Sequence, residues 1–404
     1  MYGLIGERLG HSFSTPIHEA LWAEEYRLLP MDRDALDRFL QEKDFDGVNV
    51  TIPYKQTVLP YCDEIDEKAQ AIGCVNTIVN RNGRLIGYNT DFDGAAYCLG
   101  RAGISLGGKS VLILGSGSTS LTLQAVAQAQ GAAEVRRVSR QGALTYDNAH
   151  LLTAPQVILN ATPVGMYPNV EGRPVDLRRF PTVEAVGDVV YNPLHTDLVL
   201  QAEELGLRCC GGLAMLVAQA VYAARHFCGR DFTDDETEAV IRRMERDKQN
   251  IVLVGMPGCG KSTVGRLLAE LSGKTLVDLD EEIVRRAGKP IPAIFADGGE
   301  EAFRALEHTV LSEISAEGGQ IIATGGGAVL KPENRRALRR NGRVYFLRRP
   351  LDQLPTEGRP LSQTGDLEAM YRLRLPLYEE TAHAAVSNDG TPEETAQEIW
   401  RDFQ

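Results

Sequence analysis

Gly255 to Thr263 read GMPGCGKST, so that Gly255, Gly260, Lys261 and Ser262 satisfy the pattern GxxxxGK[ST]. An apolar strand before it and an amphipathic helix after it supply the context in which successive backbone N–H groups form a nest for phosphate oxygens. Lys261 then reaches the β- and γ-phosphates and the Ser262 hydroxyl offers an oxygen to Mg²⁺, which predicts binding of ATP or GTP. Gly258, Cys259 and Thr263 belong to the same cradle, with Cys259 a small residue filling a tight turn. Downstream, Asp278 and Asp280 stand two apart in LVDLDEEI. On a strand this spacing turns both carboxylates to one side, toward the phosphates, where one serves the Mg²⁺ shell and the other takes an acceptor hydroxyl.

The first half holds a second phosphate-binding pattern. GSGSTS, Gly115 to Ser120, follows an apolar run and opens a helical one. In that setting Gly115, Ser116, Gly117 and Ser118 let backbone approach a pyrophosphate at a helix N-terminus. At the end of the next strand, Val138-Ser139-Arg140 stands where an NAD-preferring unit places an acid to accept from the ribose 2′-hydroxyl. The hydroxyl of Ser139 and the guanidinium of Arg140 suit a 2′-phosphate, which favours NADP.

Such loops need parallel sheets to hold them, and the chain has the matching rhythm. Over the first 90 residues or so, apolar runs (2 to 5, 47 to 52) alternate with helical patterns (16 to 25, 34 to 42). Asn82-Gly83 between two β-like runs predicts a tight hairpin. From Lys109 the pattern restarts as strand, glycine turn, helix and strand, a Rossmann-type lobe. Thr233 and Glu236 have capping-box spacing at the start of a polar helix that ends near Asp247, just before the apolar run leading to the GMPGCGKST loop.

The fold expected is therefore α/β throughout: a two-lobed N-terminal α/β enzyme over 1–247, with a substrate lobe at about 1–95 and 220–247 and a Rossmann NADP-binding lobe at about 96–219, then a P-loop domain over 248–404 with a parallel sheet flanked by helices. At 404 residues, 43% apolar and 24% charged, the chain is long enough for two or three cores. A net charge of -12 argues against non-specific nucleic-acid binding. No signal peptide or membrane span is legible, and the 7 cysteines show neither CxxC pairs nor Cys/His ligand spacing, so a cytoplasmic protein with reduced thiols is expected.

GLIGERLGHSFSTPIHEALW, NVTIPYKQ, GCVNTIV, GYNTDFDG, NATPVGM, DVVYNPLHT and GGLAMLVAQA, in this order, closely resemble shikimate dehydrogenase over about residues 1 to 245. The resemblance implies NADP-linked reduction of 3-dehydroshikimate to shikimate. By matched position it makes Lys55 and Asp91 the catalytic pair, with Lys55 the proton donor to the alkoxide that hydride addition leaves. Ser12 and Ser14 match the substrate-carboxylate pair, Ser14 being also a candidate cap for a helix starting at Thr15 or Pro16. Thr51, Asn76, Tyr191 and Gln219 match hydroxyl and carboxylate contacts, and Gln219, a mid-core amide, needs a partner. Thr162, Gly212 and Met215 match the pocket beside the nicotinamide. Where the family often has Gly-Gly and Asn-Arg-Thr at its two cofactor turns, this chain has Gly117-Ser118 and Ser139-Arg140-Gln141.

FRALE (Phe303 to Glu307), TGGGAV (Thr324 to Val329), GRPL (Gly358 to Leu361) and RLPLYEETA (Arg374 to Ala382), with the phosphate loop, resemble shikimate kinase over about residues 249 to 404. The resemblance implies that Asp280 takes the substrate hydroxyl, that Arg304 and Arg374 pair with the substrate carboxylate, and that Gly325, Gly326 and Gly327 bring backbone to the ring. Arg359 falls on the lid arginine that touches the transferring phosphate, in a lid that lacks the extra basic residue many relatives carry. The whole resembles a bifunctional fusion of the shikimate pathway of aromatic amino acid biosynthesis, using NADP(H), ATP and Mg²⁺ on small-molecule substrates. A quinate-oxidising first half and a non-catalytic sensing module are the competing readings.

Overall fold

In a computed structural model, the structure describes residues 1–10, 13–22, 25–354 and 367–404. The chain divides into two compact units, Met1–Met244 and Glu245–Gln404.

The first unit contains two sheets. Strands β1 (Tyr2–Gly6), β2 (Tyr26–Pro30), β3 (Gly47–Val50), β4 (Glu64–Ile65), β5 (Thr77–Arg81) and β6 (Arg84–Tyr88) form a mixed sheet in the order β2-β1-β3-β5-β6-β4. The β5–β6 hairpin turns on Asn82 (φ 53°) and Gly83 (φ 85°), as the dipeptide predicts, and Gly83 N donates to Asn80 Oδ1 at 2.7 Å. Helix Arg33–Glu42 is started by Asp32, whose side chain accepts from Ala35 N, and buries Leu36 and Leu40 against this sheet.

Strands β7 (Ser110–Leu114), β8 (Glu134–Val138), β9 (Val157–Asn160), β10 (Ala185–Asp188) and β11 (Arg208–Cys210) form an all-parallel sheet in the order β11-β10-β9-β7-β8. Strand β7 is buried on both faces: Val111 and Ile113 pack into one apolar cluster, Leu112 and Leu114 into another. That is the doubly wound arrangement, and its strand order reverses between β7 and β9. The two sheets share the helices Thr90–Arg101 and Leu213–Cys228, which lie against each other. They approach closely because Gly94 has no side chain: a Cβ there would meet Met215 O at 2.7 Å and Gln219 Cβ at 2.8 Å.

Helix Asp234–Lys248 begins with the expected capping box, Thr233 N donating to Glu236 Oε2 at 2.8 Å and Glu236 N to Thr233 Oγ1 at 3.2 Å. The second unit then builds one parallel sheet from β12 (Asn250–Val254), β13 (Thr275–Asp278), β14 (Gln320–Ala323), β15 (Gly342–Arg348) and β16 (Ala384–Ser387), in the order β13-β14-β12-β15-β16. β12, at its centre, is buried along its whole length. The stretch Ile291–Ala316 is helical on both sides of a break at Gly299 (φ 71°). Among the described residues, no helix is long and apolar enough to cross a membrane.

Candidate active sites

In the first unit, Lys55 lies in the turn after β3 and Asp91 in the first turn of helix Thr90–Arg101, which Asn89 caps by accepting from Phe92 N at 3.2 Å. Lys55 Nζ donates to Asp91 Oδ2 at 2.5 Å, with 15% and 11% of the two side chains exposed. Asn76 ties this helix start to the sheet: Thr90 N donates to Asn76 Oδ1 at 2.7 Å, and Asn76 Nδ2 donates to Thr90 Oγ1 at 3.1 Å. Asn76 Nδ2 also reaches Gln219 Oε1 at 3.4 Å, while Gln219 Nε2 donates to Leu216 O at 3.0 Å. The mid-core amide thus has the partners its position requires. Burial pushes the Tyr191 phenol above its usual range, Lys55 acting in the opposite direction, and the ring meets Phe13 edge to face at 5.2 Å. Thr51 follows β3 beside this group, its N–H donating to Ile5 O at 2.9 Å.

Ser14 is buried and is the first residue of helix Ser14–Trp22 rather than a cap before Thr15 or Pro16. The helix starts one residue early, so its Oγ belongs to the first turn. Ser12 lies outside the described residues.

Around the second sheet, Gly115 to Ser118, Ser139, Arg140 and Thr162 lie at the carboxyl ends of β7, β8 and β9, while Gly212 and Met215 follow β11. Gly115 (φ 122°) follows β7 directly, and Gly117 precedes helix Ser118–Ala129 as its cap, with Ser116 between them. Ser118 O accepts from Thr122 Oγ1 at 3.3 Å. Ser139 Oγ bonds to the Gln141 backbone, holding the turn after β8, and Arg140 is exposed beside it. Thr162 Oγ1 donates to Asn160 Oδ1 at 2.7 Å after β9. Gly212 permits a contact no other residue allows, since a Cβ would meet Val189 O at 2.1 Å. It precedes helix Leu213–Cys228, on which Met215 packs against the β7 and β9 cluster. Asp188 closes β10 with its carboxylate accepting from Asn160, Val190 N and Thr196, and burial raises it to about 6.

In the second unit one cavity of about 1040 Å³ collects the groups the sequence scatters over more than 100 residues. Pro257, Gly258, Gly260 and Lys261 line it from a loop in which Gly255, Gly258 and Gly260 have φ of 148°, 86° and 98°. Lys261 is buried, its Nζ donating to Gly255 O and Met256 O at 2.9 Å each. Cys259 is fully buried, as a turn-filling residue should be, with Thr263 exposed at the rim. Ser262 Oγ donates to Asp278 Oδ2 at 2.5 Å.

Asp278 and Asp280 do not share a strand. Asp278 ends β13 and caps helix Leu279–Ala287, its Oδ1 accepting from Asp280 N at 3.0 Å and Glu281 N at 3.3 Å, so Asp280 is already helical. The cap is what brings both carboxylates to the cavity, in place of strand alternation. Beside them, Gly326 is packed so tightly that a Cβ would meet the Pro257 ring at 2.6 Å, while Cβ atoms on Gly325 and Gly327 would crowd the Asp280 carboxylate at 2.8 Å and the Arg304 guanidinium at 2.5 Å. Arg304 and the buried Arg374 complete the wall. Arg359 lies outside the described residues.

Glu307, Phe303 and Arg349 are among the lining residues with no role in the sequence reading. Glu307 is buried, accepts from Arg304 Nη1 at 2.7 Å, and is raised by burial. Its spacing of three from Arg304 in FRALE was the available signal. Phe303 stacks on Phe295 at 4.7 Å, and Arg349 enters from the end of β15.

The model for shikimate kinase matches residues 257–404, and the model for the shikimate dehydrogenase substrate binding domain matches residues 4–78. Shikimate dehydrogenase (NADP(+)) of Shouchella clausii (strain KSM-K16) is 34% identical over 267 residues, covering 60% of this chain and 97% of that protein. Shikimate kinase of Nitrosomonas europaea (strain ATCC 19718) is 48% identical over 143 residues, covering 33% of this chain and 68% of that protein. The crystal structure of shikimate 5-dehydrogenase from Thermus thermophilus in complex with NADP(H) and shikimate aligns with a TM-score of 0.54 at 30% identity, covering 60% of this chain and 98% of that one. Ordered motifs, matching geometry and identity over nearly the whole of one relative and two thirds of the other lead to one conclusion: this chain joins a member of the shikimate dehydrogenase family to a member of the shikimate kinase family.

Proposed function

We propose that the chain is a bifunctional enzyme of the shikimate pathway, reducing 3-dehydroshikimate to shikimate with NADPH over residues 1–247 and phosphorylating shikimate to shikimate 3-phosphate with ATP over 248–404. The observation that carries this reading is that one chain holds two sets of reacting groups, the 2.5 Å Lys55–Asp91 bond in one unit and the Lys261, Ser262–Asp278 and Asp280 array in the other.

NADPH, when bound, supplies hydride to the ring ketone. Lys55 Nζ donates the proton that the resulting alkoxide takes, and Asp91 holds the ammonium in place. Ser14 takes the substrate carboxylate, with Thr51, Asn76, Tyr191 and Gln219 on the hydroxyls and carboxylate. Asn76 and Gln219 arrive already hydrogen-bonded to each other, so little ordering remains when substrate binds. Gly115 to Ser118 hold the pyrophosphate at a helix start, Ser139 and Arg140 the 2′-phosphate, and Thr162, Gly212 and Met215 flank the nicotinamide.

In the kinase unit Asp280 accepts the proton of the attacking hydroxyl, while Arg304 and Arg374 hold the carboxylate that orients the ring. Lys261 leaves its backbone carbonyls for phosphate oxygens. Ser262 and Asp278 offer one hydroxyl and one carboxylate, hard oxygen donors that suit a Mg²⁺ ion retaining several waters, and the described residues contain no cluster of three acidic, His or Cys groups. Mg²⁺, when bound there, neutralises charge on the β- and γ-phosphates. Substrates are small anions, and a cytoplasmic setting belongs to the same proposal, in keeping with seven free thiols.

Single-site variants separate the two activities. Lys55→Met is expected to remove the reduction and leave the phosphorylation, and Lys261→Met to do the reverse. Loss of both reactions from either change, in a chain that remains folded, would refute independent sites.

A further inference from the structure

Two consecutive arginines at the end of β15 have opposite surroundings. Side chains alternate along a strand. Arg348 turns outward, donating to Glu379 Oε1 at 2.7 Å with its guanidinium over the Phe346 ring, and both partners of the ion pair are about half exposed. Arg349 turns the other way, onto the wall of the cavity that Lys261, Asp280 and Arg374 line. Its Nε is buried and, among the described residues, has no hydrogen-bond partner. A buried guanidinium N–H with nothing to bond is unfavourable unless a ligand or water supplies the acceptor.

The backbone beside Arg349 is fixed to the phosphate loop. Phe346 is in register with Val254, the last strand residue before the loop. A Cβ on Gly255 would meet Leu347 O at 2.7 Å. Asn388 N donates to Arg348 O at 2.7 Å while Asn388 Nδ2 donates to Cys259 O at 2.5 Å, tying the Arg348 peptide to the same loop from the other side. Arg349 therefore leaves the sheet at the rim of the phosphate cradle. The carboxylate-binding end of the cavity is built differently, from Arg304 on the helix that also carries Glu307 and from Gly327.

We propose that Arg349 is a further catalytic residue of the kinase unit, its guanidinium donating to non-bridging oxygens of the nucleotide's terminal phosphate as that group moves to the acceptor hydroxyl. The inference rests on the kinase reading given above. Phosphoryl transfer is accelerated mainly by positioning and charge, and a planar guanidinium provides both to a phosphate where a lysine provides charge alone. The adjacent Pro350, with φ -54° held by its ring, stiffens the backbone on which Arg349 stands.

The test uses the full chain with Arg349→Gln and Arg349→Lys. Initial rates give kcat and KM for Mg-ATP and for shikimate, and calorimetry gives Kd for ADP and for the β,γ-imido analogue of ATP. The reduction rate of the first unit serves as the control for intact protein. Arg349→Gln is expected to lower kcat/KM for ATP on the order of 10²-fold. It should weaken the triphosphate analogue about tenfold, with ADP and shikimate changed less than about threefold, and Arg349→Lys should fall between it and the parent. A raised shikimate KM with nucleotide constants unchanged would overturn the assignment by moving Arg349 to the carboxylate end. Kinase constants all within about twofold of the parent would overturn it as well. A parent chain that does not phosphorylate shikimate would remove the kinase reading and this inference together, an outcome distinct from an active parent with a silent variant.

Discussion

Asp91 Oδ2 and Lys55 Nζ are 2.5 Å apart although 36 residues separate them, one in a helix's first turn and the other in the turn after β3. The pair is largely enclosed, which suits the proposed role of Lys55 as an ammonium held in place until it gives up a proton. Asp91→Asn keeps the shape and removes the charge. It is expected to lower kcat for 3-dehydroshikimate reduction by about 10²-fold, leaving the kinase rate within about twofold, as checked by parallel assays of both reactions.

The helices that carry Asp91 and Gln219 meet at Gly94. Gly94→Ala places a methyl group 2.7 Å from Met215 O, so the helices must separate. Overpacking of this kind costs about 1–3 kcal/mol. Urea unfolding followed by Trp22 fluorescence, in a Trp400→Phe background, should show that loss, together with a raised KM for 3-dehydroshikimate. An unchanged midpoint would mean the contact relaxes without strain.

His18 gives the first unit a specific acid sensitivity. Its Nδ1 accepts from Trp22 Nε1 at 3.3 Å and its Nε2 lies 3.2 Å from Asn49 Oδ1, so the ring is neutral with the proton on Nε2, and a second proton would break the Trp22 bond. Burial lowers it from the usual 6.5 to about 3, the Asn49 bond opposing. Because the folded value lies below the unfolded one, the unfolded chain binds the extra proton. The stabilisation is fully present above the usual histidine range and is lost as pH falls from there toward 3. Between pH ~6.5 and ~5 the loss is about 2 kcal/mol. His18→Phe keeps the stack on Tyr26, now 4.0 Å between centroids, and should flatten the pH slope of the unfolding free energy by up to about one proton over that window. An unaltered slope would place the acid sensitivity elsewhere.

Much of this was legible from local chemistry. Asn82-Gly83, Thr233 with Glu236, and the GMPGCGKST loop each act over a few residues, and each appears where its local preference puts it. What escaped depended on longer-range packing or on competition between local options. The two-residue spacing in LVDLDEEI points to a strand through Asp280, but the Asp278 side chain ends the strand by capping the following helix. Glu307 and Arg349 gain their meaning from a cavity assembled from β12, β13, β14 and β15, and no spacing in LRRP distinguishes the outward arginine from the inward one. Gly94 has no reading of its own in GYNTDFDG, and only the crossing with Met215 and Gln219 shows that the helix needs it.

Metal removal should divide the two activities. Ser262 and Asp278 are the oxygen donors suited to Mg²⁺, whereas in the proposed dehydrogenase mechanism the Lys55 ammonium takes the same electrostatic task without a metal. Excess EDTA is therefore expected to abolish phosphorylation and spare NADPH oxidation. Asp278→Asn should raise the Mg²⁺ concentration needed for half-maximal kinase rate by about tenfold. A dehydrogenase rate that falls with chelation would contradict the assignment of Lys55.

The most direct measurement gives the purified chain 3-dehydroshikimate and NADPH, with and without Mg-ATP, following NADPH absorbance and identifying the products by mass spectrometry. The expected result is shikimate alone without ATP and shikimate 3-phosphate when ATP is added, from one polypeptide. NADPH left unconsumed, or shikimate formed and never phosphorylated, would contradict the assignment of two active enzymes to this chain.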